Sequence, residues 1–204
     1  MNIINQVNNL IPLNYPLNFI ISSLILVFGF SLFFPLFGKL IQTIEQFEFN
    51  LFQKFFGQRL ALIIINRVTF IGTIIHEYAH ALFAWLTGAL VTKISVIDLF
   101  KGNQLGHVEF ATRGGLIKRN FQLFFASAAP VIIGIISTSL LLIYVLPQCN
   151  TPLYLILFWY IIISIINHSS MSDQDLSLYK KGALTSVPFL VVIIFILQIC
   201  LQKA

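Results

Sequence analysis

The sequence predicts an all-α polytopic membrane protein, with about five transmembrane helices and a β-hairpin inserted after the second of them. Of its 204 residues, 58% are hydrophobic and only 9% are charged, and the mean hydropathy is +0.91. A soluble domain of this length carries about one quarter charged residues. The apolar residues also occur in long runs, so the lipid bilayer is expected to be the main solvent. We predict a single membrane-embedded domain over residues 1–204.

Five apolar runs define the predicted transmembrane helices. Most of them approach the roughly 20 residues that a helix needs to cross the hydrocarbon core. The fourth is shorter, and irregular backbone beyond it is tolerated only inside protein or beside water. The runs cover residues 17–37, 61–86, 121–146, 153–167 and 184–201.

The segment between the first two runs has the pattern of an amphipathic helix. Over residues 38–60, apolar side chains recur at helical spacing, with charged side chains between them. We therefore predict a separate helix that lies at the membrane interface. Its apolar positions are Ile41, Ile44, Leu51, Phe52, Phe55 and Phe56, and its charged positions include Glu45, Glu48 and Lys54.

Residues 90–112 differ from the apolar runs around them. The stretches VTKISVID and LGHVEFA are rich in β-branched residues and partly alternate, and FKGNQLG between them supplies turn residues. This pattern predicts a β-hairpin.

The basic residues indicate orientation rather than nucleic-acid binding. The net charge of +5 is dispersed over short loops, which suits anionic lipid headgroups. Lysines and arginines are more numerous on the hairpin side than opposite, so the hairpin side and the N-terminus are predicted to be cytoplasmic. The hairpin side holds Lys93, Lys101, Arg113, Lys118, Arg119, Lys180 and Lys181, and the opposite side Lys39, Lys54, Arg59 and Lys203. The two cysteines form no C-x-x-C pair, so neither a cysteine zinc site nor a disulfide framework is predicted.

The second apolar run contains the sequence H-E-Y-A-H at residues 76–80. Residues four apart share one face of a helix, so His76 and His80 can direct their imidazoles at one metal ion. Glu77 is about 100° further around the helix and can reach a water bound to that metal without being a ligand. This is the division of roles in H-E-x-x-H zinc hydrolases. Ionisable groups inside a membrane helix are costly and usually functional.

A third protein ligand is expected, since catalytic zinc normally has three. The acidic and histidine residues outside the motif fall into two groups. His168, Asp173 and Asp175 follow the fourth run, on the side where the second run ends. Asp98, His107 and Glu109 belong to the hairpin, and Glu109 is the rival third ligand. Two acidic residues just past an apolar helix are also typical of a solvated cap.

These motifs, in this order, resemble the site-2 protease family of intramembrane zinc metalloproteases, in its short bacterial branch without a PDZ domain. The resemblance covers residues 71–182. HEYAHALFAWLTGALVTKISV resembles the family's metal helix and following strand, LGHV its hairpin step, and ASAAPVIIG the opening of its third helix. SDQDLSLYKKGA resembles the branch's S-x-x-D motif, with Ser172 and Asp175 in register.

The resemblance implies one Zn²⁺ per chain, held by His76, His80 and Asp175. Asp173 is the alternative third ligand. The family's better-known branch often has an Asn shortly after a Gly-Pro step, where this chain has Ile132 and Ile133. Asn167 or His168 could take over that substrate-binding role. The family also implies a location in the bacterial cytoplasmic membrane and a membrane-protein substrate.

The function expected from these observations is zinc-dependent endopeptidase activity. Glu77 would activate the zinc-bound water to hydrolyse a peptide bond in or next to a membrane helix. The hairpin could present a strand edge that holds the substrate extended. The alternative is a non-proteolytic zinc-binding membrane protein of the same fold, acting as a regulatory or binding partner. A transporter would show paired polar positions across several helices, which the first and fifth runs almost lack.

Overall fold

The computed structural model describes residues 17–96 and 106–202. The described chain is largely helical and contains one small antiparallel sheet. Its main elements, in chain order, are α1 Leu17–Phe56, α2 Gln58–Ile63, α3 Phe70–Leu86, β1 Leu90–Ser95, β2 His107–Ala111, α4 Leu116–Leu140, α5 Pro152–Asn167 and α6 Asp173–Gln202.

The helix α1 is a single element of 40 residues. The predicted interfacial helix over residues 38–60 is therefore not separate, because it continues the first apolar run without a break. After Pro35 no residue interrupts the helix until Gly57, whose φ of 80° lies in the region that glycine tolerates. Whether its C-terminal half lies at a membrane interface stays a prediction.

The second predicted run is divided in the structure. The short α2 is followed by a π-helical turn, Ile64–Val68, and Thr69 separates this turn from α3. Two backbone carbonyls at this break accept hydrogen bonds from side chains of α5. The Tyr160 hydroxyl donates to the Val68 carbonyl at 2.6 Å. The Ser164 hydroxyl donates to the Thr69 carbonyl at 2.8 Å. Side chains of a neighbouring helix thus satisfy the interrupted backbone, as burial in an apolar environment requires.

The two predicted strands pair antiparallel directly after α3. Gly88, with a φ of 83°, ends the helix, and the pairing runs from Leu90 opposite Ala111 to Ser95 opposite His107. The predicted turn between the strands, including Asp98, lies outside the described residues.

The remaining helices extend the predicted runs. After α4 the chain continues through a π-helical turn, Leu141–Val145, and a 3-10 turn, Leu146–Gln148. α5 agrees closely with the fourth run. α6 begins at Asp173 rather than near residue 184, so both acidic residues lie in its first turn, where the helix dipole favours negative charge.

Three helical stretches within residues 17–96 and 106–202 are long and apolar enough to cross a membrane. They are Leu17–Phe56, Leu116–Gln148 and Asp173–Leu201. α3 and α5 have 17 and 16 residues and are shorter than a spanning helix normally needs. The predicted count of about five spans is therefore not confirmed, although the chain has the character of a membrane protein.

The helices α1 and α6 lie side by side in opposite directions. Ser22 of α1 donates to Gln198 near the end of α6 at 2.9 Å, and Lys39 forms an ion pair with Asp173 at the start of α6 at 3.0 Å. Lys39 was predicted to lie on the side of the membrane opposite the hairpin. This ion pair instead places Lys39 beside the connection between α5 and α6. The prediction treated residue 38 as the start of a new helix, whereas α1 simply continues past that connection. The first described turns of α1 therefore lie at the far end of α6 from Asp173, which does not agree with the predicted placement of the N-terminus on the hairpin side.

The core is formed where α4 packs against α3, α6 and α1. Apolar side chains from α1, α4, α6 and the α5–α6 connection meet in one cluster, and small residues of α4 allow close approach of the helix axes. The cluster contains Val27, Phe124, Ala128, Val131, Met171, Tyr179 and Val187. This packing brings the first turn of α6 to the middle of α3, where the H-E-Y-A-H residues lie.

Candidate metal centre

Three side chains from α3 and α6 converge on one point. His76, His80 and Asp175 each offer a ligand atom, and these atoms lie within 4.8 Å of one another. The His80 Nε2 atom is 3.1 Å from the His76 Nε2 atom and 3.5 Å from the Asp175 Oδ1 atom. His80 and Asp175 are buried. Within the described part of the chain, this group could hold a metal ion.

In both histidines, the Nδ1 atom, which points away from the other imidazole, is hydrogen-bonded to a backbone carbonyl. The His76 Nδ1 atom lies 2.6 Å from the His168 carbonyl oxygen, and the His80 Nδ1 atom lies 2.8 Å from the Ala126 carbonyl oxygen. A carbonyl can only accept, so both Nδ1 atoms carry the proton and donate. The neutral rings then face each other with two Nε2 lone pairs, which cannot bond to one another. A cation between them would satisfy both lone pairs, and a histidine ligand held in this way is common at metal sites.

The two separations that involve His80 are close to those around a tetrahedral metal ion, and all three ligand atoms lie within 4.8 Å of one another. Ligands at about 2.0–2.1 Å from Zn²⁺ lie about 3.3 Å apart in tetrahedral geometry. The observed separations of 3.1 and 3.5 Å lie on either side of that value. The two imidazoles and one carboxylate would leave a fourth position free, as in catalytic zinc sites.

A capping box at the start of α6 fixes the orientation of Asp175. Its Oδ2 atom accepts from the Ser172 backbone N–H at 3.0 Å and from the Ser172 hydroxyl at 2.6 Å. The Asp175 N–H in turn donates to the Ser172 hydroxyl at 3.1 Å. This reciprocal arrangement is a serine capping box with aspartate as its fourth residue. It occupies one carboxylate oxygen and directs the other toward His80.

The alternative ligand Asp173 lies elsewhere. Its side chain is 83% exposed and pairs with Lys39. Residues two apart in a helix differ by about 200° in direction, so Asp173 and Asp175 point to opposite faces of α6. Of the two acidic residues, the structure brings only Asp175 to the histidines.

Glu77 opens into a cavity shared with the three ligand residues. The cavity has a volume of about 340 Å³ and is also lined by Val108 and Phe110 of β2. Glu77 is 7% exposed and makes no hydrogen bond to any residue that the structure describes. Gly106, just before β2, lies so close that an added Cβ atom would be 2.8 Å from the Glu77 Cγ atom. The buried carboxylate is therefore held between α3 and the sheet, beside the candidate metal ligands.

The other predicted site residues occupy different positions. Glu109 pairs with His107 at 3.5 Å and does not join the ligand group. The Asn167 side chain donates to Glu48 at 2.8 Å and is not among the residues that line the cavity. His168 does line it, and its carbonyl holds His76. Burial lowers the pKa of the His168 imidazole, and its Nδ1 atom lies 3.1 Å from the Ser164 carbonyl oxygen.

Two residues that line the cavity were given no role at the site by the sequence, namely Ser172 and Glu45. Ser172 was named only as part of the S-x-x-D motif of the family. The same spacing is also typical of a helix capping box, which would have predicted its contact with Asp175. Glu45 was predicted to belong to an interfacial helix, yet it lines the cavity of the candidate metal site. No local pattern indicates this position, because it depends on how α1 packs against the α5–α6 connection.

Comparisons with known proteins gave no relatives for this chain: no family model, curated protein or solved structure matches it.

Proposed function

We propose that this protein is a zinc-dependent endopeptidase of membranes, which hydrolyses a peptide bond in or next to a membrane helix of a protein substrate. The observation that carries the proposal is that His76, His80 and Asp175 meet beside a buried Glu77 in one cavity. A metal site of purely structural character would have no use for an acid that is buried, unpaired within the described chain and open to the same cavity.

Glu77 performs the proton transfers in this mechanism. Zinc, when bound, supplies a Lewis acid that lowers the pKa of water and polarises a carbonyl. Glu77 takes a proton from the attacking water and later delivers it to the leaving amine nitrogen. His168 and Ala126 hold the two histidines through their carbonyls, and Ser172 holds Asp175.

The strand β2 is the part of the protein suited to present the substrate. Residues 106–108 and Phe110 line the cavity next to the metal-binding group. A helical substrate has its carbonyls engaged in its own hydrogen bonds and must unwind before water can attack. Addition of the unwound segment to a strand edge would hold it extended through main-chain bonds.

We further propose that the protein resides in the bacterial cytoplasmic membrane, with the active-site side cytoplasmic. The N-terminus is no longer placed on that side, because Ser22 near the start of α1 bonds to Gln198, at the far end of α6 from Asp175. The ion pair of Lys39 with Asp173 adds one more basic residue to the side that carries the hairpin lysines and arginines. This increases the charge asymmetry on which the proposed orientation depends.

The test compares two variants of the purified protein in proteoliposomes. Wild type should cleave at least one member of a panel of single-span reporter proteins and should contain about one zinc ion per chain. Glu77→Gln should lower cleavage by a factor on the order of 10²–10⁴ while zinc remains bound, because only the proton transfer is lost. His80→Ala should lose both zinc and activity.

Two results would contradict this assignment. Full turnover by Glu77→Gln would remove the proposed role of the carboxylate. A wild-type protein that binds zinc and cleaves no reporter would favour the non-proteolytic alternative, a zinc-binding regulatory or binding partner.

A further inference from the structure

We infer that Glu45 selects substrates that carry a lysine or arginine side chain next to the scissile bond. The inference rests on the proposed endopeptidase function and adds to it the charge of the substrate. Glu45 lies on α1 and lines the same cavity as His76, His80, Glu77 and Asp175.

The described lining of the cavity offers acidic side chains and no lysine or arginine. Three carboxylates line it, those of Glu45, Glu77 and Asp175. Glu77 is also more than nine-tenths buried and lacks a hydrogen-bond partner among the described residues, so the cavity is built to receive a polar ligand.

The surroundings of Glu45 leave it available for such a ligand. Its carboxylate interacts with the Ser170 hydroxyl and lies one helical turn from Glu48, a second acid. Glu48 accepts a hydrogen bond from Asn167, and Lys39 of the same helix pairs with Asp173. No cation of the described chain therefore neutralises Glu45. A lysine or arginine of the substrate would gain a charge-assisted hydrogen bond there.

Binding to an inactive, zinc-loaded protein tests the inference without requiring cleavage. In the Glu77→Gln background, fluorescein-labelled peptides would be compared that differ at one position, which is lysine, norleucine or glutamate. The lysine position would be moved along the peptide. We expect at least one lysine peptide to bind about tenfold more tightly than its norleucine counterpart, as for a hydrogen bond between charged groups.

Variants of the two glutamates on α1 provide the matched comparison. Adding Glu45→Gln should abolish the preference for lysine, whereas Glu48→Gln, which alters a residue outside the cavity lining, should retain it. Glu45→Lys should reverse the preference toward the glutamate peptide. Size-exclusion profiles and zinc content would establish that the variants are folded.

Equal binding of lysine and norleucine peptides at every position would overturn the inference, as would a lysine preference that survives Glu45→Gln. Absence of binding by all peptides would overturn it too. Failure of the endopeptidase proposal is seen separately, when wild-type protein binds the lysine peptide and leaves it intact.

Discussion

Ser172 connects the start of a helix with the geometry of the proposed metal ligand. A serine at the N-cap of a helix contributes about 1 kcal/mol by satisfying a free N–H group. Here the same hydroxyl also donates to Asp175 at 2.6 Å and leaves only Oδ1 to face His80. The ligand is thus oriented by a local interaction that forms together with α6.

Replacement of Ser172 should therefore weaken zinc binding more than it weakens folding. We expect Ser172→Ala to lower zinc affinity about 10- to 100-fold, the usual range for residues that orient a metal ligand. Ser172→Thr, which keeps the hydroxyl, should restore most of the affinity. Zinc affinity measured by competition with a chromophoric chelator is the readout.

The exposed Ser177 of the same helix supplies the control for this prediction. Ser177→Ala should bind zinc as the wild type does. A Ser172→Ala protein with unchanged zinc affinity would show that Asp175 is oriented by other contacts.

At the scale of elements, the contact between α3 and α5 positions His76. The Gly72 N–H donates to the Ser164 hydroxyl at 2.8 Å, and one turn later His76 reaches the carbonyl of His168. A Cβ atom at Gly72 would overlap the Ser164 carbonyl oxygen and lie 2.7 Å from the His168 Nδ1 atom. Only glycine permits the two helices to approach this closely.

Gly72→Ala should separate the two helices and displace the carbonyl that holds His76. Overpacking of this kind costs about 1–3 kcal/mol of stability. We expect a lower melting temperature and a reduced zinc affinity, measured on the same preparation. Gly29→Ala is the matched control, since an added Cβ atom at Gly29 of α1 meets nothing within 4 Å. If both variants behave alike, the close approach of α3 and α5 does not matter for the site.

How much of the site the sequence could predict depends on whether a residue's position follows from one helix or from the packing of several. The spacing of His76 and His80 follows from helical periodicity alone, and so it was predictable. The choice between Asp173 and Asp175 depends on where α6 begins, and the apolar run suggested a start near residue 184, beyond both acids. Without a helix at these residues, periodicity could not assign them to opposite faces. Glu45 depends on packing between distant elements, for which the sequence has no local pattern.

At the scale of the whole molecule, the proposed ligands join two parts of the chain that are far apart in sequence. His76 and His80 lie on α3, Asp175 lies on α6, and both helices pack against α4. The three ligand atoms are within 4.8 Å only in this packed arrangement. A metal ion that binds the folded form and not the unfolded chain stabilises the fold by mass action, by about 2.7 kcal/mol at a concentration 100-fold above its dissociation constant.

Removal of the metal should therefore lower the melting temperature of the whole protein. We expect a chelator to destabilise wild-type protein in detergent, and added zinc to reverse the change. Asp175→Ala should start from a lower melting temperature and respond little to either reagent, because its site is incomplete. Asp173→Ala should respond as wild type does, since it loses only an exposed ion pair with Lys39, which contributes little to stability. The opposite pattern, with Asp173→Ala insensitive and Asp175→Ala responsive, would assign the third ligand to Asp173 and would require a different start of α6.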